Sequence, residues 1–379
     1  MSNEDVVEMA AQSKGILILT SSTGSGHDSV AAALQEALHE LAPEVRVRVL
    51  DPLSPGRWYD ATVAHAPWLW GLCYHATDNA QAVQFGMNAG ALLWARRLRS
   101  AIETERPGIV VSVHPLCTRL AADVLRTEPA APPLHCVVTD LVTIHRCWAS
   151  DGVDAFHVAT SDACEALVAM GIPPDRIHLT GLPLRACFAR TPHAPAEDAT
   201  LRVLLLGGGR PSRRIEKIAH TLMASPLPLR LIVVCGRNAR LRQRLTQAIG
   251  ARATVLGWCD DIAALMRWSS VVITKGGPTT LAEALSQARP IVIHQVLPGQ
   301  EVGNVALVTR TGAGCYIADA QALVHGVAPH TQPAVSTAHA AWWGGAARRV
   351  AACILTAGAD VTAAAAPGAS RRNARTVMA

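Results

Sequence analysis

The sequence lacks the features that would place it among disulfide-linked, metal-centred or membrane-spanning proteins. None of its ten cysteines stands in a Cys-x-x-Cys pair, and their spacing shows no metal-ligand pattern. No stretch approaches the roughly 20 consecutive apolar residues of a membrane span. The polar, acidic segment Met1–Ser13 is unlike a signal peptide. We therefore expect a cytoplasmic protein with reduced core cysteines, whose contact with a membrane is peripheral.

Strong net charge is also absent, since 34 Lys and Arg stand against 29 Asp and Glu, a formal charge of +5. So mild an excess does not indicate a nucleic-acid partner, and only local arginine-rich segments could attract an anionic surface. The chain of 379 residues exceeds what one core usually covers, and half of it is apolar. We expect two domains of ordinary size.

The first half opens with a glycine-rich loop between a strand and a helix. Gly15–Thr20 is a buried-strand run that leads into Gly24 and Gly26, and a helix follows from about Ser29. This order is the first βα unit of a doubly wound domain. His27 stands at the loop–helix junction, where an imidazole can face a ligand held by the loop. A histidine that merely caps or packs on the turn explains the position equally well.

Further polar residues follow later strands of the same half. His114 follows the strand Ile109–Val113, while Asp140 and then His145 follow the strand Leu134–Thr139. The carboxyl ends of parallel strands meet at one sheet edge, so these side chains should converge there with His27. The sequence predicts a cleft at this edge.

The segment 56–100 has a concentration of tryptophan and a basic end. It contains Trp58, Trp68, Trp70, Trp94, Arg96 and Arg97. Tryptophan suits a headgroup interface and arginine suits anionic lipid, so this segment is a candidate membrane contact. The alternative is that the rings fill an ordinary helix-packing core.

The second half repeats the plan after a proline-containing linker at 189–199. The strand Leu201–Leu206 enters Gly207, Gly208 and Gly209, and a later strand ends at Gly236. The tail from Thr362 to Ala379 is rich in alanine and predicts disorder. We expect one helix over Ser336–Thr356 and no final helix that crosses back to the first half.

The stretch Val271–Asn304 reads as strand, glycine turn, helix, strand and polar loop. Thr279 and Thr280 are predicted to cap the helix, whose N–H groups would suit a diphosphate. Glu283 lies on the same face and could accept two hydrogen bonds from a ribose. Polar groups that suit a sugar follow the next strand, namely Gln300, Glu301 and Asn304. The whole spacing predicts a nucleotide-sugar site, whereas a capped helix with a solvated glutamate would explain Glu283 alone.

Five segments resemble, in order, the monogalactosyldiacylglycerol synthase branch of the GT-B glycosyltransferases, which also includes the peptidoglycan lipid N-acetylglucosaminyltransferase and diglucosyldiacylglycerol synthases. They are ILILTSSTGSGH, TDLVTIHRCW, GWCDDIAALM, ITKGGPTTLAEAL and PGQEVGN, and they span about residues 15–316. The resemblance implies an α/β fold of two doubly wound, Rossmann-like domains facing across a cleft. The acceptor domain would cover 1–188 and the donor domain 200–357, with a tail at 358–379.

The resemblance also implies a role for each motif residue. His27 would be the general base, with Asp140 and His145 shaping the acceptor side or assisting the base. The donor side would divide into four groups. Gly207, Gly208, Gly209 and Gly236 would lie at the diphosphate and nucleoside, and Trp258 in the turn Gly257–Asp261 that meets uracil. The phosphates would contact Lys275, Gly277, Thr279 and Thr280, with Glu283 at the ribose, and the sugar would contact Gln300, Glu301 and Asn304. Gly24 and Gly26 would lie on the acceptor side.

The implied activity is inverting transfer of galactose or glucose from a UDP-sugar to a lipid acceptor, diacylglycerol being the first choice. The sequence has no DxD motif of the kind that binds a metal in other glycosyltransferases, so we expect neither a cofactor nor an essential metal. The expected location is the inner face of the cell membrane, with its anionic surface as a partner. A specialised-metabolite acceptor, a nucleotide-sugar epimerase of similar architecture and a binding protein without catalysis remain alternatives. The third is suggested by Arg210–Arg214, where the relatives usually have a glycine-rich acidic turn.

Overall fold

The computed structural model describes residues 15–22, 25–53, 72, 74–78, 91–128, 131–190, 200–207, 213–327 and 336–364. The first half contains β1 (Ile16–Leu19), α1 (Ser25–Leu41), β2 (Val47–Leu50), α2 (Ala91–Glu105), β3 (Ile109–Ser112), α3 (Pro115–Leu125), β4 (Leu134–Val137), β5 (Ala155–Val158), α4 (Ser161–Ala169) and β6 (Ile177–Leu179). The second half contains β7 (Leu201–Leu206), α5 (Arg213–Ala224), β8 (Leu229–Val234), α6 (Ala239–Ile249), β9 (Thr254–Leu256), α7 (Ile262–Trp268), β10 (Val271–Lys275), α8 (Pro278–Ser286), β11 (Ile291–Gln295), α9 (Val302–Arg310), β12 (Gly314–Tyr316), α10 (Ala320–Val327), α11 (Thr337–Gly344) and α12 (Ala346–Ala364).

The strands form two parallel six-stranded sheets, one in each half. Their orders are β2-β1-β3-β4-β5-β6 and β12-β11-β10-β7-β8-β9. Every residue of β1, β3 and β4 is buried, which is why these strands read as continuous apolar runs instead of alternating ones. The predicted α/β class with two doubly wound domains is confirmed.

The strand order identifies where each sheet should bind a ligand. In the first sheet the order reverses at β1, which lies between β2 and β3, and in the second it reverses at β7, which lies between β8 and β10. Doubly wound sheets bind ligands in the crevice beyond the carboxyl ends of the strands at such a point. The loops concerned begin with Thr20, Val113, Gly207 and Gly276.

One hydrophobic cluster joins the two halves. It contains Ile18 of β1, Leu34 of α1, Val272 of β10 and Leu285 of α8, together with Ile354 of α12. Separate clusters fill the outer face of each sheet. The halves therefore meet through a continuous apolar core behind the cleft.

The structure corrects four expectations about local structure. Helix α1 begins at Ser25, so His27 lies in its first turn. Helix α8 is capped by the backbone of Gly277, with Pro278 at its first position, and no threonine side chain caps it. Strand β12 was not predicted, because its three residues are too few and too exposed to show a pattern.

The fourth correction concerns the C-terminal region. Two helices, α11 and α12, replace the single predicted helix. Helix α12 crosses back and packs along α1, and Arg348 forms an ion pair with Glu40 there. The expectation that no final helix returns to the first half was wrong. The predicted tail beyond residue 364 lies outside the described residues, as does almost all of the predicted linker.

Candidate active site

The two crevices face each other closely enough to share one ligand. A methyl group at Gly26, in the first turn of α1, would lie 3.0 Å from Thr279 Oγ1 in the first turn of α8. A methyl group at Gly303 would lie 2.6 Å from Thr143 Oγ1 of the opposite half. Two helix N-termini, each with a partial positive charge, thus converge from opposite sides.

His27 is held by the first sheet in one orientation. Its Nδ1 lies 2.8 Å from the carbonyl oxygen of Val113 and 3.2 Å from Thr139 Oγ1. A carbonyl oxygen can only accept, so Nδ1 carries the proton and Nε2 keeps its lone pair. Burial lowers the pKa of His27, although the bond to Val113 and the nearby Asp28 oppose that change. The imidazole is therefore neutral at pH 7 and available as a base.

A second imidazole packs against the first. The ring of His114 lies edge-on to that of His27, with 4.6 Å between centroids, and it is 4% exposed. Burial lowers its pKa, and the neighbouring His27 lowers it further. His114 thus stays neutral and adds no positive charge that would oppose protonation of His27.

Asp140 lies at the same sheet edge with partners of its own. It is buried, and its oxygens accept from Trp148 Nε1 at 2.7 Å and from Gln300 Nε2 at 3.1 Å. Burial raises the pKa of Asp140 to about 6, and the two hydrogen bonds limit that rise. Gln300 comes from the other half, so the carboxylate joins the two sides of the cleft.

His145 uses both ring nitrogens to order its loop. Its Nδ1 accepts from the backbone N–H of Cys147 at 3.1 Å, and its Nε2 donates to the carbonyl oxygen of Tyr74 at 3.2 Å. The ring also packs edge-on to Tyr74, 4.7 Å away. This geometry supports shaping of the acceptor side, whereas assistance to the base would need a nitrogen that is not already engaged.

The N-terminus of α8 is open to an anion. No side chain caps it, and Gly276 and Gly277 before it are buried. The N–H groups of its first turn are therefore available to a phosphate. Lys275 adds a cation at this end, although its Nζ lies 3.4 Å from Glu301 Oε1.

Two of the residues predicted to bind the sugar also hold the backbone around the α8 N-terminus. Glu301 is 4% exposed, and its Oε2 accepts from the N–H of Leu297 at 2.9 Å. Asn304 is buried and donates from Nδ2 to the carbonyl oxygen of Gly276 at 2.8 Å. Asn304 thus fixes the turn that precedes α8, and Glu301 fixes its own loop between β11 and α9, functions that the sequence did not reveal.

Two of the predicted nucleoside residues lie in α8 and in the turn that follows β9. Glu283 is half-buried, and burial raises its pKa to about 7 while Arg185 opposes the rise. Trp258 is 53% exposed, its Nε1 donates to Asp260 at 2.8 Å, and Arg237 lies 4.7 Å from the ring centroid. An exposed aromatic face beside a cation is suited to stacking on a base.

Arg185 is a candidate site residue that motif reasoning missed. It follows the Gly181-Leu182-Pro183 turn of the first half, and its guanidinium donates to the carbonyl oxygen of Asp260 at 2.7 Å. It thereby connects the first half to the turn Gly257–Asp261, which the resemblance assigns to uracil. An arginine two residues after a glycine–leucine–proline turn at a strand end was the available signal.

The remaining predicted residues divide into two groups. Gly207 and Gly236 lie at the ends of β7 and β8, and a methyl group at Gly207 would approach the carbonyl oxygen of Val234 to 3.0 Å. The others lie outside the described residues, namely Gly24, Trp58, Trp68, Trp70, Gly208, Gly209 and Arg210. Arg213 is exposed, and Arg214 donates to the carbonyl oxygen of Ala318.

Helix α2 contains the described part of the predicted membrane segment. Trp94 is half-buried and packs against the core of the first half. The leucines beside it point outward, with Leu92 77% and Leu93 64% exposed, and Arg96 and Arg97 are exposed on the same helix. The outward apolar side chains are therefore leucines, and the tryptophan belongs to the packed face.

Neither a membrane span nor a metal cluster occurs in the described part of the chain. None of its helices is both long and apolar enough to cross a bilayer. Its His, Cys, Asp and Glu side chains form no group of three that could hold a metal ion.

Comparisons with known proteins agree with this geometry. Residues 27–184 match the family model of monogalactosyldiacylglycerol (MGDG) synthase, and residues 202–341 match that of the glycosyltransferase family 28 C-terminal domain. MurG of Acinetobacter baumannii is similar in structure, with a TM-score of 0.56 at 12% identity over 90% of this chain and 99% of that chain. HepE of Anabaena, in complex with UDP-glucose, gives a TM-score of 0.51 at 14% identity over 93% of this chain and 99% of that chain.

Two parallel doubly wound domains with these matches define a glycosyltransferase of the GT-B fold, as predicted. A protein of Oryza sativa subsp. japonica named "Probable monogalactosyldiacylglycerol synthase 2, chloroplastic" is 32% identical over 343 residues, which is 82% of this chain and 72% of that protein. The chain belongs to the monogalactosyldiacylglycerol synthase family, and the predicted resemblance is confirmed.

Proposed function

We propose that the protein transfers a hexose from a UDP-sugar to the free hydroxyl of diacylglycerol, with galactose as the favoured sugar. The relative's name supports galactose and the lipid acceptor. The complex of HepE with UDP-glucose supports a UDP-sugar donor. The observation that carries the proposal is the orientation of His27, whose Nδ1 proton is fixed by Val113 beside the α8 N-terminus.

The reaction follows from these positions. The acceptor oxygen attacks the anomeric carbon as its proton passes to Nε2 of His27, and the bond from that carbon to the diphosphate oxygen breaks. The electron pair of that bond leaves with UDP. In a direct displacement the incoming oxygen and the leaving diphosphate lie on opposite faces of that carbon, and a base and a phosphate site from different halves are compatible with this arrangement. An α-linked donor then gives a β-glycoside, which is the inverting outcome.

The leaving diphosphate gains charge that the protein can stabilise without a metal. The uncapped N–H groups of α8, the hydroxyls of Thr279 and Thr280, and the ammonium of Lys275 all lie at that end. We therefore propose that no divalent cation is essential. Turnover by the purified protein should persist in excess EDTA, and its abolition there would contradict this part.

The proposed location is the membrane surface at the cytoplasmic face. Helix α2 exposes Leu92 and Leu93 together with Arg96 and Arg97, a pairing suited to insertion among anionic headgroups. Replacing both leucines with serine should weaken binding to phosphatidylglycerol-containing vesicles about tenfold or more, because burial of one leucine stabilises by about 1.5–3 kcal/mol. Val168→Ser on α4, where the valine is 44% exposed, is the control. Unchanged vesicle binding in the folded double variant would place the membrane contact elsewhere.

The donor and acceptor are tested together. The purified protein is incubated with labelled UDP-galactose or UDP-glucose, with and without diacylglycerol vesicles, and the products are separated. Transfer to lipid that is faster from UDP-galactose supports the proposal. Isomerisation of the sugar without acceptor would indicate an epimerase, and binding without turnover would indicate a protein that has lost catalysis.

A further inference from the structure

Asp140 bridges two loops from different halves of the protein. Its Oδ2 accepts from Nε1 of Trp148, which lies in its own loop and is fully buried. Its Oδ1 accepts from Nε2 of Gln300, which lies in the loop between β11 and α9. Since the buried indole holds one oxygen, the other has a fixed direction toward Gln300.

This contact determines how the Gln300 amide is oriented. An ionised carboxylate can only accept, so the NH₂ group of Gln300 must face Asp140 and its Oε1 must lie on the other side. Within the described residues, Oε1 accepts no hydrogen bond. The same loop adjoins the turn before α8, since a methyl group at Gly276 would lie 3.4 Å from Cβ of Glu301. A hexose on a diphosphate bound at the α8 N-terminus would extend toward it.

We infer that Asp140 is a positioning residue for the donor sugar, which orients Gln300 so that its Oε1 accepts a hydrogen bond from a hexose hydroxyl. The inference rests on the proposed function for the identity of the donor. It replaces assistance to the base as the role of Asp140. His27 has its own partners in Val113 and Thr139, and among the described residues it shares no hydrogen bond with Asp140.

The number of acceptors predicts the effect of substitution. Aspartate offers two acceptor oxygens to two donors, whereas asparagine offers one oxygen and one NH₂ group. In Asp140→Asn the oxygen should pair with Trp148, because an unpaired donor that is fully buried costs more than one that water can reach. Gln300 then faces an NH₂ group, and its amide must turn away. Removal of the indole donor in Trp148→Phe should let the introduced asparagine turn its oxygen back to Gln300.

The test compares equilibrium binding of UDP-galactose and of UDP by calorimetry. UDP lacks the hexose, so Asp140→Asn should weaken UDP-galactose binding about five- to tenfold and leave UDP binding within about twofold, as expected for one lost hydrogen bond. Gln300→Met should give the same loss, and adding Asp140→Asn to it should change nothing further. The pair Trp148→Phe with Asp140→Asn should bind UDP-galactose as tightly as Trp148→Phe alone.

Other results would overturn the inference. Equal loss of UDP and UDP-galactose binding would show general distortion of the cleft. Unchanged UDP-galactose binding with a shifted acid limb of the pH–rate profile would show that Asp140 acts on His27. A wild-type protein that binds UDP-galactose more tightly than UDP but transfers nothing would refute the proposed function alone, because these binding comparisons need no turnover.

Discussion

Glu283 should make nucleotide binding depend on pH near neutrality. Its carboxyl lies in α8 beside the N-terminus proposed for the diphosphate, and burial raises its pKa to about 7. Ribose hydroxyls that donate to the carboxylate favour its ionised form. Binding should therefore lower the pKa again and release a proton.

The magnitude follows from that pKa. If the bound form titrates well below pH 6, affinity should fall about tenfold for each pH unit below 7 and should be level above about pH 8. The bound state holds fewer protons than the free protein, so affinity falls as the pH is lowered. About 0.9 proton should be released per ligand near pH 6 and about 0.1 near pH 8.

The assay is calorimetric titration with UDP-galactose in two buffers of different ionisation enthalpy. Both phosphates of this ligand are esterified, so the ligand does not titrate near neutral pH. In Glu283→Gln the proton release and the pH dependence should disappear, whereas Glu103→Gln, an exposed site on α2, should behave as the wild type. A wild-type affinity that is constant between about pH 6 and pH 8 would refute the reasoning, and so would a pH dependence that survives in Glu283→Gln.

Three further predictions concern the base, the cleft and the core. His27→Gln should lower kcat by about 10²–10⁴-fold and leave UDP affinity unchanged. The wild-type rate should rise with pH along a limb centred below 6.5, because burial lowers the pKa of His27. An equal loss of UDP binding would make His27 a donor-site residue. Gly303→Ala brings a methyl group to 2.7 Å from Val142 Cγ1, so it should push the halves apart and lower kcat/KM about tenfold in steady-state assays. Unchanged kinetics would mean that separating the two halves at this point does not affect catalysis. Ile354 is fully buried on α12, so Ile354→Ala should lower the free energy of unfolding by about 2–5 kcal/mol in denaturant titrations. If the loss is no larger than that caused by Thr356→Ala, α12 does not pack on α1 in solution.

The sequence predicted features that depend on local pattern. A buried parallel strand followed by a glycine loop and a helix is continuous in the chain, so the edge that carries His27 and the N-terminus of α8 could both be predicted. Strand β12 could not, since it is three residues long, and neither could the division of the predicted Ser336–Thr356 helix into α11 and α12 or the return of α12 to the first half. Helix α12 does have buried apolar residues at helical spacing, namely Ala347, Val350, Ala351, Ile354 and Leu355, but such a stripe does not show which helix it packs against.

Contacts between distant residues were also beyond prediction. Asp140 and Gln300 are 160 positions apart, and Arg185 reaches Asp260 across 75 positions. No periodicity relates such pairs, so their partners emerge only when the two sheets are placed against each other. Motif comparison named Asp140 and Gln300 separately, and only the link between them suggests the positioning role proposed for Asp140.

The C-terminal helices explain how two halves of a site can stay in register. Helix α12 packs along α1, which carries His27, and α11 packs against α8, which carries Thr279. Arg349 of α12 donates to the carbonyl oxygen of Thr180 at 3.0 Å, and its guanidinium lies 4.9 Å from the ring centroid of Trp342 in α11. A methyl group at Gly181, whose φ is +86°, would lie only 2.7 Å from Cβ of Ala346. So tight a joint resists sliding, because a close-packed contact has no room to deform. Opening of the cleft should therefore separate the rim, at the Asp140–Gln300 bridge, while α1 and α8 keep their spacing at the joint.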